Sequence, residues 1–284
     1  MVNRKPGAGF GLPFFLSACL PCHQDVVTSF LQTAHSQTSR WAAAGTIRGS
    51  FEAGRNRLPT RDPKVWFEME RHADGFYQSA YDNGRVRSER MDVVFGSGRR
   101  GQTYLYRRDR LLYQLPVSWL AATDDWINSP GYRDGQVDFS RLIGLQCLNC
   151  HTTALKPGIQ CERCHGGAHG TVERSMDLCA QCHSGLHDEL DVHGNQVGLL
   201  KRSKCYSPAM RCTTCHNPHR KERDPAALSA KCQTCHGPKE CGRGAVCVDC
   251  HMPIQQSRKI VIHNAAQTYA QPYRTHTIAV YRPN

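Results

Sequence analysis

The chain has 284 residues, with 36 Lys and Arg against 24 Asp and Glu, a formal charge of +12 and a pI near 9.1. No segment reaches the roughly 20 consecutive apolar residues of a transmembrane helix, which excludes a helical membrane span. The basic balance alone would suggest a nucleic-acid or anionic-membrane partner, but 16 cysteines and 15 histidines point to other chemistry.

Taken from the N-terminus, Met1 to Leu20 make a poor secretion signal. Arg4 and Lys5 are basic and Phe10 to Leu16 form a very short apolar core, but Leu16 stands where cleavage before Cys19 prefers a small residue. Leu16-Ser17-Ala18-Cys19 also resembles a lipoprotein processing site. Immediately afterwards comes the first of seven copies of Cys-x-x-Cys-His: Cys19-Cys22-His23, Cys147-Cys150-His151, Cys161-Cys164-His165, Cys179-Cys182-His183, Cys212-Cys215-His216, Cys232-Cys235-His236 and Cys247-Cys250-His251. This is the attachment signature of c-type haem, in which two thiols bond the porphyrin vinyl groups and the adjacent imidazole becomes the proximal iron ligand. Cys-x-x-Cys alone would equally suit a zinc ribbon or a redox dithiol, but histidine follows all seven times. Seven covalent haem c groups are expected.

Haem attachment takes place outside the cytosol, so a periplasmic or extracellular location is expected. Lipid on Cys19 would remove a thiol from the first haem, so that match is set aside; either the natural start lies elsewhere or export uses another signal. Cys205 and Cys241 are the two cysteines the motifs leave over, and they read either as a disulfide or as buried small apolar residues. Seven haems also correct the charge. Fourteen propionates against the chain's +12, with one positive charge per ferric core, leave about +5 oxidised and about −2 reduced. Much of the Arg and Lys excess is then expected to neutralise propionates, and a nucleic-acid partner is rejected. At about 41 residues per haem the macrocycles supply much of the buried apolar surface. The fold class expected is a mainly α and irregular multihaem cytochrome wrapped around seven c-type haems, with a small antiparallel β insert between haem 1 and haem 2.

Motif spacing divides the chain. His23 stands 128 residues before His151, and the next intervals are 14, 18, 33, 20 and 15. Residues 1–44 form an N-terminal segment with haem 1, 45–140 a haem-free β-rich insert, and 141–284 a six-haem region. Within the insert, Val93-Val94-Phe95, Thr103 to Tyr106 and Leu111 to Leu115 are β-rich runs, separated by Gly96-Ser97-Gly98 and Arg107 to Arg110 as turns. Trp119 and Trp126 suit either a haem face or the sheet. Eight arginines between Arg85 and Arg110 read as a docking face for an acidic partner, as propionate partners, or as a solvated basic face. The six-haem region reads as short helical turns broken at Pro157-Gly158, Gly166-Gly167 and Asn217-Pro218. Its tight spacing keeps neighbouring irons close.

Besides the proximal histidines there are eight others: His35, His72, His169, His187, His193, His219, His263 and His276. Eight candidates for seven distal positions fit a largely bis-histidine protein that passes electrons and binds no substrate. His169 and His219, so soon after His165 and His216, are better placed for a neighbouring haem than for their own. His72 and His193 are the weakest ligands, and Met176 and Met210 are substitutes.

The chain resembles the multihaem c-type cytochromes related to the tetrahaem cytochrome of ammonia oxidisers, which share haem-packing motifs with hydroxylamine oxidoreductase and pentahaem nitrite reductase. The resemblance rests on Cys22-His23 followed by Thr33-Ala34-His35-Ser36, on Gly158 to His169, Cys215-His216-Asn217-Pro218-His219, Cys250-His251-Met252-Pro253 and Thr275-His276-Thr277. Gly96-Ser97-Gly98 through Gln114 to Trp119 is similar to an insert of uncharacterised members. The resemblance implies that His35, His169, His219 and His276 are distal ligands supplied to other haems. The Cys-x-x-Cys-Lys site of the nitrite reductases does not occur here, and no cross-linking tyrosine of the hydroxylamine oxidoreductases can be placed.

Two function classes follow. One is electron transfer outside the cytosol between redox donor and acceptor proteins, by docking to a membrane complex, or between copies of the chain in a filament. The other is a redox enzyme with one five-coordinate haem acting on a small nitrogen or sulfur compound. Spare histidines favour the first and assign no catalytic residue.

Overall fold

The computed structural model describes residues 14–166, 176–185, 194–237 and 246–281. They form two compact units, one of described residues up to Arg163 with His263–Gln267, the other of those within Cys164–Ile262 and from Thr268 onward.

The first unit opens with helix α1 (Phe14–Phe30), which carries Pro21 inside and non-helical angles at His23 (φ −124°, ψ 36°). Proline donates no backbone hydrogen bond and crowds the preceding turn, so the helix kinks within its Cys-x-x-Cys-His motif. Nine strands follow: β1 (Ser39–Trp41), β2 (Arg57–Pro59), β3 (Val65–His72), β4 (Gly75–Asp82), β5 (Arg85–Arg90), β6 (Val93–Phe95), β7 (Gly101–Arg108), β8 (Leu111–Leu120) and β9 (Asp125–Asn128). They make two antiparallel sheets, ordered β1-β6-β7-β8-β9 and β2-β3-β4-β5. The insert is thus larger than the small sheet expected from sequence, and its first strand lies before residue 45. The three β-rich runs fall on β6, β7 and β8. The β7–β8 turn is only Asp109-Arg110, both left-handed at φ 50° and 68°, and Asn83-Gly84 (φ 48° and 81°) closes β4 onto β5 in the same way. Two left-handed central residues give the turn that matches strand twist.

Alternation along each strand sorts the side chains between faces. Val65, Phe67 and Met69 of β3 are buried, and Phe67 and Met69 form with Ala80, Val94, Tyr104, Tyr106, Leu115, Val117 and Phe139 one apolar cluster joining both sheets. Trp119 and Trp126 belong to this cluster, so both indoles pack on the sheets. The register of β7 and β8 shifts between Thr103 and Leu105, and the fully buried Gln78 of β4 reaches across to Val117. Its Nε2 donates to the Val117 carbonyl at 2.7 Å and its Oε1 accepts from the Val117 amide at 3.0 Å. Gln78→Leu keeps the volume but leaves two buried backbone groups unpartnered. It should cost about 3 kcal/mol, read as a lower denaturant midpoint of the strand circular-dichroism signal.

The five-stranded sheet has a second apolar face. Val93, Phe95 and Leu105 alternate with the core residues and pack with Leu112 against Ile143, Cys147 and Leu148. Cys147 and Leu148 lie on α2 (Leu145–His151), the helix of the second motif. The chain continues through the short hairpin β10 (Thr152–Thr153) and β11 (Lys156–Pro157) to α3 (Glu162–His165). Gly158 (φ 82°) fits here because a Cβ would meet the Ser36 carbonyl.

The second unit contains α4 (Met176–His183), α5 (Gln196–Lys201), a 3-10 turn (Cys212–Thr214), α6 (Pro225–Cys232), α7 (Cys247–His251) and the hairpin β12 (Ile254–His263) and β13 (Thr268–Arg274), whose tip residues 263–267 fall in the first unit. Asn195 and Asp224 cap α5 and α6 by accepting backbone amides of Gly198 and Ala226, and Pro225 occupies the first turn of α6.

Candidate haem attachment sites

Each motif lies on a short helix or runs off its end. His151, His183 and His251 are the last residues of their helices, where unpaired carbonyls favour a partial positive charge. The eight arginines of the insert are distributed over β5, β7 and their loops. Arg87 lies over the Phe139 ring at 4.6 Å and pairs with Glu89 at 3.1 Å, Arg90 sits 3.8 Å from Asp92, and Arg108 lies over Tyr113 at 4.6 Å.

Among the described residues, the Nδ1 atoms of four motif imidazoles lie beside an acceptor. His151 Nδ1 faces Thr38 Oγ1 at 2.9 Å and the Thr38 carbonyl at 3.1 Å; His183 Nδ1 faces Gln196 Oε1 at 3.0 Å. His251 Nδ1 faces the Ala279 carbonyl at 2.9 Å, and His216 Nδ1 lies 3.5 Å from Glu222 Oε2. A carbonyl can only accept, so the proton at His151 and His251 sits on Nδ1 and the Nε2 lone pair is left for a metal. Burial lowers the His151 pKa, opposed by the Thr38 carbonyl, which keeps the ring in the neutral form that ligates iron.

Among the described residues, two motif histidines lie close to a second histidine. The rings of His165 and His219 are 5.7 Å apart at 24°, and those of His216 and His276 are 6.2 Å apart at 35°. An imidazole nitrogen lies about 1.1 Å from its ring centre and binds a first-row metal at about 2 Å, so two axial rings on one iron have centres about 6 Å apart. The observed centre-to-centre distances are of that size. Burial and the facing His165 lower the His219 pKa. His276 is lowered to about 4 by burial first and then by His216 and His183, against the Arg274 carbonyl 3.2 Å from its Nδ1.

His219 and His276 are both fixed by their own loops. The His219 amide donates to Asn217 Oδ1 at 3.0 Å, and the Asn217 amide donates to Glu222 Oε2 at 3.0 Å, so Cys-His-Asn-Pro-His folds into a tight turn. Around His276, Ser203 Oγ donates to its carbonyl at 3.0 Å, Thr277 Oγ1 donates to the Leu199 carbonyl at 3.1 Å, and the Ala279 amide donates to the His251 carbonyl at 3.2 Å. Arg274 bonds the Val248 and Met252 carbonyls and Asp249, tying the same segment to α7.

Thiols of different motifs also meet. Cys161 hydrogen-bonds Cys19, and its pKa is pushed up to about 11, by burial first. Cys179 and Cys212 share a hydrogen bond that raises the second and lowers the first. Cys205 is exposed and adds to the upward shifts of Cys215 and Cys232, while Cys241 lies outside the described residues.

The remaining sequence candidates are dispersed. His35 is exposed in the turn after α1, where its carbonyl accepts from Ile159 at 3.0 Å. His72 ends β3 with its ring 4.8 Å from Tyr77 and 3.8 Å from Glu70, and His263 ends β12. Met176 opens α4 and Met210 precedes the 3-10 turn. His169, His187 and His193 lie outside the described residues. Thr38, Phe95 and Gln196 were not foreseen beside motif histidines; carbonyl and amide partners leave no sequence signature, and Phe95 read simply as strand.

Among curated proteins and among solved structures no chain matches this one. Residues 154–237 match the family model described as cytochrome c3, a stretch that holds four of the seven attachment motifs and marks the chain as a multihaem c-type cytochrome.

Proposed function

We propose that the chain is a heptahaem cytochrome that carries electrons along a row of mostly bis-histidine haems outside the cytosol. The observation that carries this is the facing of His165 by His219 and of His216 by His276 at the spacing of two axial ligands on one iron. Haem c supplies reversible one-electron iron chemistry. With histidine in both axial positions, His165 with His219 and His216 with His276 would exclude substrate from the iron and keep its coordination the same in both oxidation states. Contacts between Cys19 and Cys161, and between Cys179 and Cys212, support close neighbours within each unit. The proximal set is His23, His151, His165, His183, His216, His236 and His251. His219 and His276 lie in segments that carry the resemblance to the cytochromes of ammonia oxidisers. Redox proteins, or further copies of the chain, are the partners. Among the described residues no helix is long and apolar enough to cross a membrane.

The test is an electron paramagnetic resonance spectrum of the fully oxidised holoprotein. Low-spin ferric signals alone are expected. A high-spin signal near one haem equivalent would mark an open iron and favour an enzyme acting on a small nitrogen or sulfur compound.

A further inference from the structure

We propose that the β domain is a clamp for the axial imidazole of the second motif, with Phe95 and Thr38 as its positioning residues. The inference rests on the reading that Cys147, Cys150 and His151 hold a haem.

A two-sheet domain with a complete core between its sheets has no need of a second buried face. Here the outer face of the five-stranded sheet is apolar at Val93, Phe95 and Leu105, and what covers it is the second motif's own helix, through Cys147 and Leu148. The strand pairing then brings specific groups to His151. Ser39 lies opposite Phe95 in the β1–β6 register, so the two side chains share a face. The Phe95 ring stacks on the His151 imidazole with centres 4.5 Å apart and planes at 10°. Ser39 Oγ donates to the His151 carbonyl and accepts the Gly158 amide at 2.9 Å. Thr38 holds Nδ1 through its hydroxyl and its carbonyl at 2.9 and 3.1 Å.

The imidazole is thus held at one ring face, at Nδ1 and at its own backbone, all by residues of one sheet edge. Among the described residues no other motif imidazole stacks on a phenyl or indole ring. The Nδ1 contacts alone would leave the ring able to rock about them; the parallel phenyl fixes its plane. Donation from Nδ1–H makes the ligand more basic, which favours the ferric state and lowers the potential of that one haem. An insert that reads as an appendage in sequence becomes the device that sets one haem apart from the others.

The test uses the holoprotein and compares Phe95→Leu, Phe95→Tyr and Thr38→Val. Mass spectrometry first counts the haems and locates one on the peptide containing Cys147 and Cys150; a wild-type protein without that haem would sink the underlying reading, not the clamp alone. With all haems attached, Phe95→Leu should shift one low-spin resonance and one midpoint in a spectroelectrochemical titration, while Phe95→Tyr keeps both at wild-type values. Thr38→Val should raise the same midpoint. A fully loaded Phe95→Leu protein with wild-type resonances and titration would overturn the proposal. Should Phe95→Leu not fold, an unchanged midpoint in Thr38→Val would overturn it equally.

Discussion

Replacing His276 with alanine should convert one haem of the oxidised protein from low-spin to high-spin and leave the others unchanged. His276 is the ring that faces His216, and its loop is tied to α5 and α7 by Ser203, Thr277 and Ala279, so removing the imidazole leaves its loop bonds in place. An iron held by His216 would then be left to water or to an empty position. His276→Met should instead stay low-spin and raise one midpoint on the order of 0.1 V, a fraction of the about 0.8 V that axial ligands span. The pair of variants separates ligand loss from misfolding, because a folding defect would not give opposite spin states. Spectra of both variants superimposable on wild type would remove His276 from the ligand set.

The multihaem c-type character was legible because covalent haem attachment is a local chemical requirement written in five consecutive residues, and four such motifs fall within residues 154–237. The approach of one histidine ring to another is not local. His219 and His276 could be read as ligands for other haems, but the pairing of His219 with His165 and of His276 with His216 depends on an Asn-Pro turn and on a C-terminal segment threaded past α5 and α7. The β domain was only half read, although more signal was present. Val65, Phe67 and Met69 alternate with Trp66, Glu68 and Glu70, and Asn83-Gly84 is a strong hairpin signal before Val86. Trp119 and Trp126 were ambiguous for a better reason. A large indole suits a porphyrin face as well as a sheet, and only strand register decides which it meets. The arginines of the insert read as a docking face, as propionate partners or as a solvated basic face; Arg87 and Arg108 lie over Phe139 and Tyr113, contacts that only the strand register could reveal.

Trp126→Ala should be the most damaging single change in the β domain, at about 3–5 kcal/mol, because it opens a cavity where the two sheets meet. The indole is 1% exposed, lies 5.6 Å from Tyr104 and 5.8 Å from Phe51 between ring centres, and donates from Nε1 to the Ser50 carbonyl at 2.8 Å. Its ring presses on Gly49, where even a Cβ would lie 2.2 Å from it, so the backbone has already closed down on the indole and has little slack with which to fill the void. Truncation also strands the Ser50 carbonyl. Against a total stability of about 5–15 kcal/mol for a domain, this loss should lower the melting temperature of the strand signal by many degrees. The consequence should reach the second motif, because the other face of the same sheet holds α2 and stacks Phe95 on His151. Heating the variant while following strand dichroism and haem absorbance together is therefore informative. One haem's spectrum should change with the strand signal, well below the wild-type transition. A strand melt that leaves every haem band untouched would mean that the sheet and the second motif are neighbours without being coupled.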